Sequence, residues 1–319
     1  MRREHGVRPP PTSCCTVTAA LGVGIDRRRT MSALLHHDTW SGEDVTVSEI
    51  ERELQRLRNS SATPTGAMHL RTSVLTHLVW APQQWLGEAE ETLQGLAEGH
   101  PSRTIILTPA PTAEASGIDA HLALRSFAAG QHAVYSEVIT LTLRGSTALA
   151  PASSVLPLLI SDLPVFLRWR GRPDFGGRPW RQLVGVADRV VIDSGEWDEL
   201  RMAELAREFS HTAVSDIAWA RTLEWRRTLA ACWPAITEQE IRIAGPTGDA
   251  ELLRGWLVSR LQRGVRAVGV EEQLSVALDG VPVDPPIRLA YTSSERLSAE
   301  LDRFGRDPVY EEAVRAAEA

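Results

Sequence analysis

An α/β protein with two domains is the fold class this sequence predicts, on three observations. Short apolar runs bounded by turn residues alternate with amphipathic stretches from residue 70 onward, the pattern of strands and helices that builds largely parallel sheets. Two longer segments, 118–128 and 133–145, alternate apolar and polar residues like neighbouring half-exposed antiparallel strands, which makes at least one sheet mixed. At 319 residues the chain is long for one core and comfortable for two. The expected architecture is two α/β domains with mostly parallel, partly mixed sheets flanked by helices. A lead-in and helix occupy 31–66, the first domain 67–210 and the second 211–319.

Residues 1–30 carry six arginines against Glu4 and Asp26. Arg27, Arg28 and Arg29 stand where a signal peptide would need small residues for cleavage. They are therefore expected to be a disordered extension, or a mis-assigned start ahead of Met31. A polar lead-in follows. Ile50, Leu54 and Leu57 then share one helical face, with Ser48 placed to cap the helix and Glu51 to complete a capping box. Residues 59–66 read as a loop, 70–81 as a strand, and Pro82 opens a helix. A buried strand at 102–109 ends at Pro109, and the antiparallel pair comes next. The helix after residue 145 is expected to bend or stop at Pro157. Strands at 165–171 and 189–194 flank a Gly- and Pro-rich loop, and 195–211 is an amphipathic helix.

The stretch "SDIAWARTLEWRRTLAACW" (215–233) holds three of the ten tryptophans. At about 100° per residue, Trp219, Trp225 and Trp233 fall on one arc with Ala218, Leu223 and Leu229. Arg226 falls in the middle of that arc, and a guanidinium there needs an acid, carbonyls or an aromatic face. A strand at 239–244, a helix at 249–263, two short strands and an acidic terminal helix complete the chain.

Composition excludes more chemistry than it suggests. All 34 basic residues are arginine, so no Schiff base, pyridoxal-phosphate lysine or P-loop lysine can come from this chain. A net charge of −7 argues against nucleic acid as partner. No run of eighteen apolar residues occurs, so no membrane span is expected. Cys14, Cys15 and Cys232 form neither a disulfide framework nor a zinc signature, which fits a reducing cytoplasm, and Cys232 sits in an apolar context expected to be core. The nine histidines are scattered, with His36–His37 as the one adjacent pair, and no metal motif occurs. The loop "GRPDFGGRPW" (171–180) lacks the glycine spacing of a dinucleotide cradle. Asp193, followed by Ser-Gly, reads as a turn or cap residue. No catalytic constellation, cofactor site or metal site is expected.

Three motifs in order carry a family resemblance: "HPSRTIIL" (100–107), "VLPLLISDLPVFLRWRG" (155–171) and "SDIAWARTLEWRRTLA" (215–230). With the helix start at Val47-Ser48-Glu49-Ile50, they resemble the OpcA family of glucose-6-phosphate dehydrogenase assembly proteins. The matching positions are His100, Pro101, Arg103, Leu156, Pro157, Leu158, Leu159, Asp162, Pro164, Trp169, Asp216, Ala218, Trp219, Arg221, Trp225 and Arg226. Two departures stand out. Ile160-Ser161 replaces an apolar-proline pair, and Glu224 stands where the family has proline, so the last motif is expected to run as a continuous helix.

The resemblance implies a non-enzymatic partner that assembles or allosterically activates glucose-6-phosphate dehydrogenase in the oxidative pentose phosphate pathway. The alternative is an enzyme or sensor that grips a phosphorylated sugar or nucleotide with arginine at a strand-end crevice. Asp162, Trp169, Asp216, Trp219, Arg221, Trp225 and Arg226 are the candidate partner-binding or motif-core residues. Trp169, Trp219, Trp225 and Arg226 are expected to lie near each other. Exposure of Arg226, Trp219 and Trp225 would mark a partner surface, whereas a buried pair of Arg226 with an acid such as Asp162 would mark a motif that keeps the fold.

Overall fold

The structure is a computed structural model and describes residues 34–60, 73–96, 102–129, 132–286 and 291–318. The N-terminal extension, the adjacent cysteines, and His100 and Pro101 of the first motif lie outside the described residues. In chain order the elements are β1 (Leu34–Gly42), α1 (Val47–Ser60), β2 (Leu75–Trp80), α2 (Leu86–Leu96), β3 (Ser102–Ala110), β4 (Gly117–Ala129) and β5 (His132–Arg144). Then come α3 (Pro151–Val155), β6 (Val165–Trp169), α4 (Arg178–Val184), β7 (Arg189–Ile192), α5 (Met202–Glu208), β8 (Ala213–Asp216), α6 (Ile217–Arg221) and α7 (Leu223–Ala231). The last are β9 (Ile241–Ala244), α8 (Thr247–Leu261), β10 (Arg266–Gly269), β11 (Ser275–Leu278), β12 (Val281–Pro282), α9 (Ser293–Leu301) and α10 (Pro308–Glu318). None of the helices among the described residues is long and apolar enough to cross a membrane.

The larger sheet has eight strands in the order β1-β4-β5-β3-β2-β6-β7-β8. β4 runs antiparallel to both β1 and β5, and every other neighbouring pair is parallel. Its central strands are apolar on both faces. Leu78, Trp80, Ile105, Leu107, Leu167, Trp169, Val190 and Ile192 point into one core, and Val79, Ile106, Phe166 and Val191 into the other. Helices α1, α4, α5 and α10 cover the first face, and α2 and α9 the second, as a parallel sheet buried on both sides requires. The sheet continues past residue 210, because β8 pairs in parallel with β7.

The smaller sheet, β10-β9-β11-β12, has one parallel pair, β10 with β9, and two antiparallel ones. Asp279 and Gly280, with φ of 51° and 79°, form the two-residue turn joining β11 to β12, a conformation that suits Asp-Gly. Helix α8 serves both layers, with Leu252 in the first core of the large sheet and Leu253 and Leu257 in the core of the small one. It crosses α10 at Gly255, where an added Cβ would press on the Ala313 carbonyl and lie 2.9 Å from the Ala317 Cβ. Gly255→Ala is expected to destabilise by about 1–3 kcal/mol through overpacking, measured by urea unfolding. Wild-type stability would show that the crossing has slack.

Four local expectations change. The lead-in after Met31 contains β1, an edge strand running along β4. Helix α1 is capped two residues earlier than expected, because Thr46 N–H donates to Glu49 Oε2 (2.8 Å) and Glu49 N–H donates to Thr46 Oγ1 (3.3 Å). Helicity in 195–211 is confined to α5 and a short turn at Ser194–Glu196, since Asp193 accepts from Gly195 N–H and closes that turn. The last motif is broken at Thr222 although no proline is present. There the Thr222 hydroxyl donates to the Trp219 carbonyl (2.8 Å), and such back-bonding competes with the helical ladder.

Candidate functional site

The chemistry-bearing residues gather where β6, β7 and β8 end. On β6, Trp169 faces the first core, stacked on Trp80 with ring centres 4.9 Å apart and edge-on to Trp180 at 5.1 Å. The period of two then sends Arg168 and Arg170 to the opposite face. Both arginines reach Glu196, Arg168 Nη2 at 2.6 Å and Arg170 Nε at 2.9 Å, and Arg170 Nη2 also reaches Glu88 at 2.7 Å. Arg170 lies over the Trp85 ring, 4.7 Å from its centre. The other Glu196 oxygen accepts from Gly171 N–H at 2.7 Å. A crevice of about 450 Å³ opens here, walled by α2, the ends of β6 and β7, and α9.

Its far wall is a second network. Asp193, at the end of β7, receives two hydrogen bonds from Arg221, at 2.8 and 2.9 Å. The same guanidinium donates to Asp249 of α8, from Nη2 at 2.8 Å and from Nε at 3.0 and 3.1 Å. Burial acts to raise Asp193, but the Arg221 bonds and charge win and hold its carboxyl below the usual range. At Asp249 burial prevails and its carboxyl is raised. Burial alone would lower Arg221, yet its bonds to Asp249 and Asp193 raise it above the usual guanidinium value. Arg221 is thus a charged rivet between the large sheet and α8. A second crevice, of about 660 Å³, lies on its other side, toward β9 and β11.

Asp216, ending β8, caps α6. Its Oδ1 accepts from Ala218 N–H (2.8 Å) and Ser194 N–H (3.0 Å), and Oδ2 accepts from the Tyr310 hydroxyl (3.3 Å). Burial first, then the neighbouring Asp193 charge, raise its carboxyl to about 7. Trp219 is 3% exposed and donates from Nε1 to Asp307 at 2.9 Å. Trp225, also 3% exposed, packs in the core of the small sheet instead. Arg226 stacks on Trp219 with its guanidinium carbon 3.4 Å from the ring centre, and donates to Thr222 Oγ1 (3.0 Å) and the Trp219 carbonyl (3.2 Å).

The structure therefore brings Asp216, Trp219, Arg221 and Arg226 together around α6, with Trp225 one helix on. Trp169 sits apart in its own aromatic stack. Asp162 is exposed on the loop before β6, at a φ of 68°, and is no partner of Arg226. The tryptophans do not share a face: Trp219 and Trp225, on either side of the break at Thr222, pack into different cores, and Trp233, past the end of α7, is 49% exposed. Arg103, from the first motif, is buried and ties two motifs together, bonding Glu137 at 2.8 Å and the Leu158 carbonyl at 2.6 Å. Cys232 is buried in the small-sheet core, as expected. Sequence reasoning missed Arg168, Arg170 and Glu196. The readable signal was "RWR" at 168–170, two charges alternating with a tryptophan on a buried strand.

Residues 74–208, from the residue before β2 to the end of α5, match the family model described as the glucose-6-phosphate dehydrogenase subunit N-terminal domain, an OpcA assembly domain. Over this segment, 135 of the 319 residues, the chain resembles the OpcA family. It is 26% identical over 242 residues to the OxPP cycle protein OpcA of Nostoc punctiforme, covering 66% of this chain and 51% of that one. The OpcA protein of Synechocystis sp. is 29% identical over 188 residues, with 52% and 38% covered. That of Synechococcus elongatus is 26% identical over 193 residues, with 50% and 43% covered. The chain spans about half the length of the curated relatives it matches. The OpcA domain match takes in Glu88, Arg168, Arg170, Asp193 and Glu196. Arg221 and Asp249, which rivet it to the following layer, lie beyond the match.

Proposed function

We propose that this chain is a non-catalytic partner of glucose-6-phosphate dehydrogenase that promotes its active assembly, acting in the cytoplasm within the oxidative pentose phosphate pathway. The observation that carries the reading is the match of residues 74–208 to the OpcA assembly domain. The strand-end geometry supports it: the arginines and acids that could serve a reaction hold one another in two tight ionic networks. A partner with greater affinity for the active oligomer of the enzyme than for its inactive form shifts the population toward it. Each tenfold of that preference is worth about 1.4 kcal/mol.

The docking surface we assign is the loop 156–162. It carries the family motif, yet Leu156 is 54% exposed and Pro157, Ser161 and Asp162 also face solvent. Leu158 fixes the loop from beneath, buried and held through its carbonyl by Arg103. Exposed positions within a motif point to recognition rather than packing.

Mixing the chain with the dehydrogenase should yield a joint peak in size-exclusion chromatography with light scattering, together with a rise in dehydrogenase activity. Leu156→Glu should weaken that complex at least tenfold while leaving the melting temperature of the isolated chain unchanged. Separate elution with unaltered kinetics would overturn the reading, and wild-type binding by Leu156→Glu would remove the loop from it.

A further inference from the structure

Outside the edge strand β8 lies another crevice, of about 450 Å³, between the α6–α7 junction and the turn joining α9 to α10. Four arginines line it, Arg189, Arg226, Arg303 and Arg306, against one carboxylate, Asp307. The carboxylate is already engaged, with Oδ2 accepting from Trp219 Nε1 (2.9 Å) and Oδ1 accepting from the N–H groups of Val309 (3.0 Å) and Tyr310 (3.1 Å). Arg303 and Arg306 are tied to acids outside the lining, Glu300 at 3.2 Å and Glu311 at 2.7 Å. Arg189 and Arg226 have no carboxylate within salt-bridge distance among the described residues.

Arg189 is 2% exposed and held rigidly, with two donors on Ser215 Oγ (3.0 and 2.6 Å) and a third on the Gly305 carbonyl. Arg226 is held by the Trp219 ring and by Thr222. In a chain of net charge −7, this is a local excess of positive charge on pre-positioned side chains. Burial lowers both arginines from their usual value, Arg226 to about 10, so an anion in the crevice would relieve a cost the fold already bears. The strand-end crevice differs in this respect, because its four arginines, Arg168, Arg170, Arg221 and Arg296, face four lining carboxylates, Glu88, Glu91, Asp193 and Glu196.

We propose that this arginine crevice binds a phosphate dianion, free or as the monoester of a small molecule, with Arg226 and Arg189 as the fixed donors and Arg303 closing over it. Guanidinium forks match tetrahedral oxyanions in geometry as well as charge. The crevice has the volume of a small-ligand site.

The test uses the isolated full chain, so its outcome is separate from that of dehydrogenase binding. Inorganic phosphate and glycerol phosphate are titrated by calorimetry and by thermal shift, with neutral glycerol and matched sodium chloride as controls. Saturable binding in the millimolar range or tighter is expected, stronger for the ester if the natural ligand is a monoester and equal if it is free phosphate. Arg226→Gln and Arg303→Gln should each weaken it at least fivefold, while Arg227→Gln, exposed and paired with Glu224, should bind as wild type. Absence of saturable binding, a response that sodium chloride reproduces, or full binding by both crevice variants would overturn the proposal.

Discussion

Replacing Arg221 by methionine is expected to destabilise the protein by about 3–5 kcal/mol, the largest single-residue effect in the molecule outside its apolar cores. The guanidinium supplies five hydrogen bonds to two buried carboxylates, Asp193 and Asp249. Removing it leaves two negative charges facing each other away from water, and an uncompensated buried charge is what makes breaking such a network costly. Lysine at 221 should recover only part of the loss, since a point charge cannot fork to both carboxylates at once. The triple variant Arg221→Met, Asp193→Asn, Asp249→Asn should recover most of it, because it removes the stranded charges along with their partner. Urea unfolding of the four proteins at neutral pH measures this. A loss below about 1 kcal/mol for Arg221→Met would mean that solvent screens the carboxylates and that the two layers are joined by apolar packing alone.

Which arginine carries that role was not legible in the sequence, and the reason is geometric. A single helix through 215–233 puts Arg226 in the middle of the apolar arc, which makes it the residue in need of an acid. The break at Thr222 resets the helical phase. Arg221 then turns toward Asp193 and Asp249, and Arg226 folds back over Trp219. Nothing in a propensity pattern marks that break, since neither proline nor glycine causes it. It comes from a hydroxyl and a guanidinium taking over the Trp219 carbonyl. The opposite holds for β2, β3, β6 and β7, whose apolar runs bounded by turn residues reflect burial on both faces and could be read directly. The same logic hid β1, an edge strand in a polar segment, which offers no two-sided burial to detect. The strand-end networks were half legible. Asp193 stood out as a turn residue, but its partner Arg221 comes from α6 and the second carboxylate on that guanidinium, Asp249, from α8, which only tertiary packing brings together.

Asp216 gives the second large effect, and its sign runs against the usual behaviour of a carboxylate. Its folded value is raised from 3.8 to about 7, by burial first and by the Asp193 charge next. Below pH 3.8 both folded and unfolded chains hold the proton. Between 3.8 and about 7 the unfolded chain releases it while the folded one keeps it, so this residue's contribution to stability falls as pH rises through that window. Above about 7 both states are ionised and the loss levels off. Asp216→Asn keeps an oxygen for the N–H groups of Ser194 and Ala218 and presents its amide to the Tyr310 hydroxyl, without the titration. Its stability relative to wild type should therefore climb by on the order of 4 kcal/mol between pH 4 and pH 7, then stay constant to pH 8. Asp216→Ala should instead lose about 1–2 kcal/mol at every pH from the missing helix cap, with the same pH trend superimposed. Parallel pH profiles for wild type and Asp216→Asn would mean that Asp216 ionises at an ordinary carboxylate value. In that case the helix-capping N–H groups would be stabilising a charge that burial and Asp193 oppose, and the junction of β8 with α6 would be held by an anion rather than by a neutral acid.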